Sequence, residues 1–224
     1  MLNLSTSEEN YIKAIFHLQN EEGNVTTNEL AGRLQSKPAS ITDMMKKLKT
    51  RKLVHYQPYQ GFRLTVDGRK IALGIIRRHR LWEFFLAEKL KFNWDEVHEV
   101  AEHLEHVSSK KLIDKLDEFL EFPKFDPHGD PIPDTNGKME NNKQLSLVDW
   151  PLNKPATVCQ VINQSAELLD LLQHKKINIG TRLEVKKRFD FDESVEIKIH
   201  KQTPINISGQ LAKNIFVNHG SAGA

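Results

Sequence analysis

Apolar residues in the first fifty positions recur with a helical period that is broken twice. Ser5-Thr6-Ser7-Glu8-Glu9 supplies a hydroxyl cap and early acids, and Tyr11, Ile12, Ile15, Phe16 and Leu18 follow at helical spacing. Gly23-Asn24 ends that pattern, and Thr26-Thr27-Asn28-Glu29 caps a short second helix through Leu34. A third helix opens at Pro38, whose missing N–H costs nothing in a first turn. It turns Ser40, Thr42, Asp43, Lys46 and Lys47 outward and Ile41, Met45 and Leu48 inward. Two short helices joined by a tight turn predict a helix-turn-helix. Leu53–Tyr56 and Phe62–Thr65 then read as two strands around the Pro/Gly turn Gln57–Gly61, which predicts a wing.

Further on, Thr65-Val66-Asp67-Gly68 caps a long helix reaching about Leu90. A second runs from Asp95 to about Val107, and a third opens at Ser108-Ser109 and ends near Leu120. Residues 135–147 are polar and turn-rich, as a linker would be. Beyond them, 156–162, 180–185, 195–199 and 215–217 read as strands, with one short helix at 165–172, which predicts a small β-barrel. The chain is therefore expected to be mostly α with small β. Its expected divisions are a winged helix-turn-helix at 1–72, a helical domain at 73–134, a linker at 135–152 and a β-barrel at 153–220.

The 224 residues suffice for several small domains, and no stretch approaches the roughly 18 apolar residues of a membrane span. The first residues show no basic-then-apolar leader pattern, and a single cysteine, Cys159, excludes an intramolecular disulfide or a Cys-rich zinc module. Both features predict a cytoplasmic protein without membrane association. The net charge of +2 conceals a segregation: Arg33–Arg80 carries 13 Lys/Arg against 2 Asp/Glu, whereas Glu83–Asp130 carries 13 Asp/Glu against 6 Lys/Arg. A basic block suits a polyanion, and an acidic block rich in histidine suits a cation. In the first, Ser36, Pro38, Ser40 and Thr42 sit where a recognition helix enters a groove, and Lys37, Lys46, Lys47 and Arg63 are candidate phosphate contacts. The same helices in a protein-interaction domain are the alternative.

Residues 98–106, HEVAEHLEH, collect three histidines and three glutamates. At helical spacing Val97, Val100, Ala101, Leu104 and Val107 form an apolar stripe, while His98, Glu102, Glu105 and His106 share about 100° of arc. His103 and Glu99 fall toward solvent. His79 and Glu83, four residues apart on the preceding helix, point one way. Imidazole and carboxylate donors without thiolate suit Mn(II), Fe(II), Zn(II), Co(II) or Ni(II). A merely solvated helix face is the competing reading.

The winged helix followed by RRHRLWEFFLAEKL, DEVHEVAEHLEHVSS and DPHGDPIP resembles the diphtheria toxin repressor family of metal-dependent transcriptional regulators, over roughly residues 5–135. The C-terminal strands resemble the FeoA-like, SH3-like domain of its longer members. The resemblance implies a homodimeric repressor of metal-uptake genes that binds a pseudo-palindromic operator in double-stranded DNA. It implies a primary metal site of Asn10, Glu102, Glu105 and His106 and a second of His79, Glu83 and His98. Asp126 and His128 could complete the second, and Glu167, or less directly Gln164, could reach it from the C-terminal domain. Glutamate at 102, where iron-sensing members have cysteine, implies Mn(II), with Fe(II) the alternative and Zn(II) or Co(II) bound in vitro. Three residues depart from the family pattern: Asn10 replaces Asp or Met, Lys13 replaces a glutamate that bridges a metal pair in one branch, and Asp126 replaces a loop cysteine. Two rivals are a metal-dependent enzyme, for which no substrate pocket or separate general acid is legible, and a metal-independent winged-helix regulator.

Overall fold

The computed structural model describes residues 4–19, 23–57, 61–107, 109–140, 143–162, 164–200 and 202–219. The tip of the expected wing, Pro58-Tyr59-Gln60, and Ser108 lie outside them. The chain divides into two compact units, one of residues 1–79, 102–113 and 133–138, the other of 80–101, 114–132 and 139–224.

In the first unit α1 (Thr6–Leu18) starts with a capping box: Ser5 accepts from the Glu8 backbone, and the Glu8 carboxylate accepts from the Ser5 N–H at 2.8 Å. Helix α2 (Thr27–Leu34) repeats the device with Thr26 and Glu29. Gln35 then takes a left-handed conformation at φ 48°, which ends α2 and turns the chain into α3 (Pro38–Thr50), with Pro38 in its first turn. The strands β1 (Val54–Gln57) and β2 (Gly61–Leu64) pair antiparallel, Val54 opposite Leu64 and His55 opposite Arg63. Val25 bridges to Phe62 and so ties the start of α2 to the wing. Ile12, Ile15, Leu30, Ile41, Met45, Leu48, Leu53 and Phe62 are buried in one cluster, which makes α1, α2, α3 and the wing a single packed body.

Three helices carry the middle of the chain: α4 (Val66–Glu88), α5 (Val97–Val107) and α6 (Lys110–Phe119). Thr65 caps α4, its hydroxyl accepting from the Gly68 N–H at 3.0 Å and donating to the Lys52 carbonyl at 2.9 Å.

The second unit contains a six-stranded antiparallel sheet in the order β3-β8-β4-β5-β6-β7, built from β3 (Leu145–Ser146), β4 (Pro155–Val161), β5 (Arg182–Arg188), β6 (Val195–Ile199), β7 (Ile205–Ile207) and β8 (Ile215–Asn218). Helices α7 (Ala166–His174) and α8 (Gly209–Asn214) contribute Leu169, Leu172, Leu211 and Ala212 to its core. Leu147 and Trp150, which the sequence pattern assigns to the linker, are buried there too, and β3 precedes them. The run Leu145–Leu152 mixes apolar residues with Ser146, Asp149 and Pro151 over too few positions for a helical or strand period, so the burial of these two is not legible in the sequence. The strand β7 and the helix α8 are likewise too short to announce themselves.

The loop 126–131 is seated against this sheet. The Asp126 carboxylate Oδ1 accepts from the backbone N–H of His128 at 2.8 Å and of Asp130 at 3.0 Å, and the His128 carbonyl accepts from Val161 of β4 at 3.0 Å. Gly129 stands at φ +86°, and a Cβ there would lie 1.9 Å from the Cys159 carbonyl oxygen. Gly129→Ala is therefore expected to destabilise the second unit by about 3 kcal/mol, through left-handed strain and a backbone clash together. Urea denaturation followed by tryptophan fluorescence checks this, and an unchanged midpoint would mean that the loop seats elsewhere.

Candidate metal centres and nucleic-acid face

Among the described residues, candidate ligand side chains gather within each unit. In the first unit the capping box aims α1 so that Glu9, Asn10 and Lys13 accompany its buried face. The Lys13 ammonium lies 2.7 Å from Glu105 Oε1 and 3.3 Å from Glu102 Oε1. Glu105 is fully buried, and His79 Nδ1 stands 2.6 Å from its other oxygen. His106 is oriented by Glu9: the carboxylate Oε2 accepts from Nδ1 at 2.6 Å, and Arg78 holds Glu9 Oε1 at 2.7 Å. Since an ionised carboxylate only accepts, the hydrogen of this pair belongs to Nδ1, and Nε2 is the nitrogen left to face the other donors. That Nε2 is buried without a hydrogen-bond partner among the described residues and lies 3.4 Å from Glu105 Oε1. Asn10 Oδ1 is buried and accepts from no described residue either.

The sequence pattern thus assembles Glu102, Glu105 and His106 on one face of α5, and the structure brings Lys13 and Glu9 of α1 to them. His79, which the family resemblance assigns to the second set, contacts Glu105 of the first. Glu9 reads in the sequence only as an early acid of α1. Its position four residues before Lys13 is the signal that places both on one face.

In the second unit Glu83, Asp126 and His128 are all buried, and each offers one donor atom within 4.8 Å of the others. The Trp94 carbonyl accepts from His128 Nε2 at 2.8 Å, so Nδ1, buried and with no described hydrogen-bond partner, is the ring nitrogen left to face the cluster. His98 Nδ1 reaches Glu83 Oε1 at 3.1 Å. Burial, then the charges of Glu83 and Asp130, push the Asp126 carboxyl well above its usual range, and Arg80, 3.5 Å from Oδ2, offsets this only in part. A cation among these groups would reverse that shift. Asp130 accepts from the amides of Gln160 at 2.6 Å and Gln164 at 2.7 Å, so the C-terminal domain reaches the loop through glutamines. Glu167 stands exposed in the first turn of α7.

Both sets fit a divalent cation by donor chemistry: carboxylates, an amide oxygen in one, and an imidazole whose second nitrogen donates to a fixed acceptor, as ligating histidines do. No thiolate belongs to either. Burial pushes the Cys159 thiol up to about 11, and its sulfur lies 3.4 Å from both Gln144 Oε1 and the Phe216 carbonyl.

On the basic face Lys37, Pro38, Ser40, Lys46, Lys47 and Arg63 are exposed. Thr42 donates its hydroxyl to the Pro38 carbonyl and Ser36 to the Leu34 carbonyl, both at 3.1 Å, which leaves only lone pairs to present to a base. Lys47 also reaches Glu8, at 3.4 Å.

Residues 3–62 match the iron dependent repressor N-terminal DNA binding domain, 65–134 the iron dependent repressor metal binding and dimerisation domain, and 145–219 the FeoA domain. The chain belongs to the iron-dependent repressor family. It is 28% identical over 197 residues to the diphtheria toxin repressor of Corynebacterium glutamicum, covering 83% of this chain and 86% of that one. With the transcriptional regulator MntR of Oceanobacillus iheyensis it shares 33% over 120 residues, covering 54% and 81%. A solved manganese-dependent transcriptional repressor in complex with manganese superposes with a TM-score of 0.84 at 31% identity, covering 94% of this chain and 98% of that one. ScaR with bound Cd2+ follows at 0.78 and 30%, covering the same shares. The iron-dependent repressors are transcriptional regulators, with one domain for DNA and one for metal and dimerisation. No helix among the described residues of this member is long and apolar enough to cross a membrane.

Among the described residues, the buried carboxylates Glu105 and Glu8 of the first unit predict its acid response. Burial raises Glu105, but contacts from His79 and Lys13 more than offset it; burial raises Glu8, but Ser5, Lys47 and Arg51 more than offset it, so both sit below the ordinary 4.5. A carboxylate with a lowered folded pKa contributes stability that is complete above its unfolded value and lost as pH falls through its folded one. In chelator the first unit is thus expected to keep its helicity above about pH 5 and to lose it progressively below about pH 4. Circular dichroism reads this, and Glu8→Gln should flatten the transition.

Proposed function

We propose that this chain represses metal-uptake genes as a homodimer that binds a pseudo-palindromic operator when charged with a divalent ion, Mn(II) in the first instance. The observation that carries the reading is the hydrogen bonding of two imidazoles, each of which leaves one ring nitrogen buried and without a described partner. Glu9 takes one hydrogen of His106 and the Trp94 carbonyl one of His128, so each ring keeps a ligand nitrogen without a described hydrogen-bond partner. A merely solvated histidine face would need neither burial nor an oriented ring.

Asn10, Glu102, Glu105 and His106 would hold one ion, and Glu83, His98, Asp126 and His128 a second. The bound ion supplies positive charge shared by oxygen and imidazole donors. Asn10 belongs to α1, and Ile12 and Ile15 of α1 pack with Leu30, Ile41 and Met45 in one buried cluster. Any change in how α1 is held against α5 therefore carries α3 with it, because a close-packed core moves as a body. By linkage, the ion that favours the DNA-competent arrangement binds more tightly in the presence of operator, by typical couplings of about 1–3 kcal/mol.

Oxygen and imidazole donors with glutamate at 102 favour Mn(II), and the likeness to a manganese-dependent repressor solved with manganese supports it. Fe(II) is the second reading, supported by similarity to the iron-dependent repressor IdeR of Mycobacterium leprae, 28% identical over 174 residues. Zn(II) and Co(II) suit the same donors in vitro.

Fluorescence anisotropy with an operator selected from a random duplex library tests this, with chelator, Mn(II), anaerobic Fe(II) and Zn(II) as the arms. Tight binding is expected only with metal, strongest with Mn(II), and His106→Ala should abolish the metal dependence. Affinity should fall steeply with salt, and alanine at Lys37, Lys46 or Arg63 should each reduce the log–log slope by about 1. Equal binding in chelator would make the chain a metal-independent regulator.

A further inference from the structure

Lys13 places a positive charge where a cation would neutralise the first ligand set. Its ammonium contacts both Glu105 and Glu102, and its side chain is only 13% exposed. Glu105, at 0% exposure, has no water to stabilise its charge, so the pair is desolvated rather than a surface bridge. Arg78, which also lies near the set among the described residues, is engaged with Glu9 at 2.7 Å.

We propose, building on the assignment of Glu102 and Glu105 as ligands, that Lys13 is a tethered competitor of the metal ion. In the ion-free protein it offsets one of the two carboxylate charges and bridges α1 to α5, and a divalent ion enters only by displacing it. A lysine suits this because its ammonium is a point charge on a flexible stem and can swing away without moving the backbone. The exchange also changes which residue of α1 meets α5. Lys13 releases its hold and Asn10, with an unengaged buried oxygen, takes it, three residues and about 4.5 Å nearer the start of the helix. The site consequently keeps a charge-compensated contact in both states but anchors α1 at two different points. Lys13 sets the metal concentration at which the exchange occurs.

The test compares the full-length wild type with Lys13→Met and Lys13→Arg, titrating Mn(II) against a fluorescent chelator, with His106→Ala identifying the isotherm of the first set. Lys13→Met is expected to bind Mn(II) there about tenfold or more tightly than the wild type, because a close charge pair no longer has to be broken, while Lys13→Arg keeps weak binding. Equal affinity of Lys13→Met and wild type, with the isotherm still lost in His106→Ala, overturns the competitor and leaves the ligand assignment standing. No Mn(II) at this set in either protein overturns both. Should Lys13→Met fail to fold in chelator, the wild type alone decides. Amine acetylation read by peptide mass spectrometry should modify Lys13 several times faster in saturating Mn(II) than in chelator, and equal rates overturn the proposal.

Discussion

Glu105 is a carboxylate with no exposure to solvent, and a charge withdrawn from water must be compensated at close range or it neutralises itself. Much of the first unit is organised around that demand. Lys13 and His79 approach its two oxygens and His106 flanks one of them, and each comes from a different part of the chain. The compensation reaches outward in a second ring, because Glu9 orients His106 and Arg78 holds Glu9. Since α1 supplies both Glu9 and Lys13, the electrostatics of a buried glutamate on α5 reach the helix whose apolar face packs with the helix-turn-helix.

The second group answers the same demand differently. Asp126 is buried beside Glu83 and Asp130, and its environment drives it toward the neutral form, with Arg80 a partial counterweight. The loop that carries it is held by its own backbone N–H groups, by Val161 of the sheet and by the close approach that only glycine permits at 129. His128 stacks on Trp94, which packs in turn against the apolar core of the sheet. A small β domain thereby provides the support for a polar cluster that the helices alone leave incomplete.

The order of elements was legible along the chain because each helix start carries its own chemistry. Ser5 with Glu8, Thr26 with Glu29, Pro38 and Thr65 all cap or open helices as their residue types predict. The face of α5 that bears Glu102, Glu105 and His106 follows from helical periodicity, and the absence of thiolate donors from composition. Short elements escaped: β3, β7 and α8 are too brief for a period to show, and Leu147 and Trp150 enter a core from a segment that reads as linker.

By itself, then, the sequence determined what repeats locally: helix caps, the apolar stripes, the basic and acidic halves, and a donor set of oxygen and imidazole. Only the tertiary structure decided which donors meet. That Lys13 stands between Glu102 and Glu105, that Glu9 turns His106, that His79 contacts Glu105 and that Gln164 rather than Glu167 reaches the 126–130 loop are facts about contacts across dozens of residues. Charge compensation in a desolvated site depends on distances of a few ångströms, and no local pattern in a chain encodes a distance between helices.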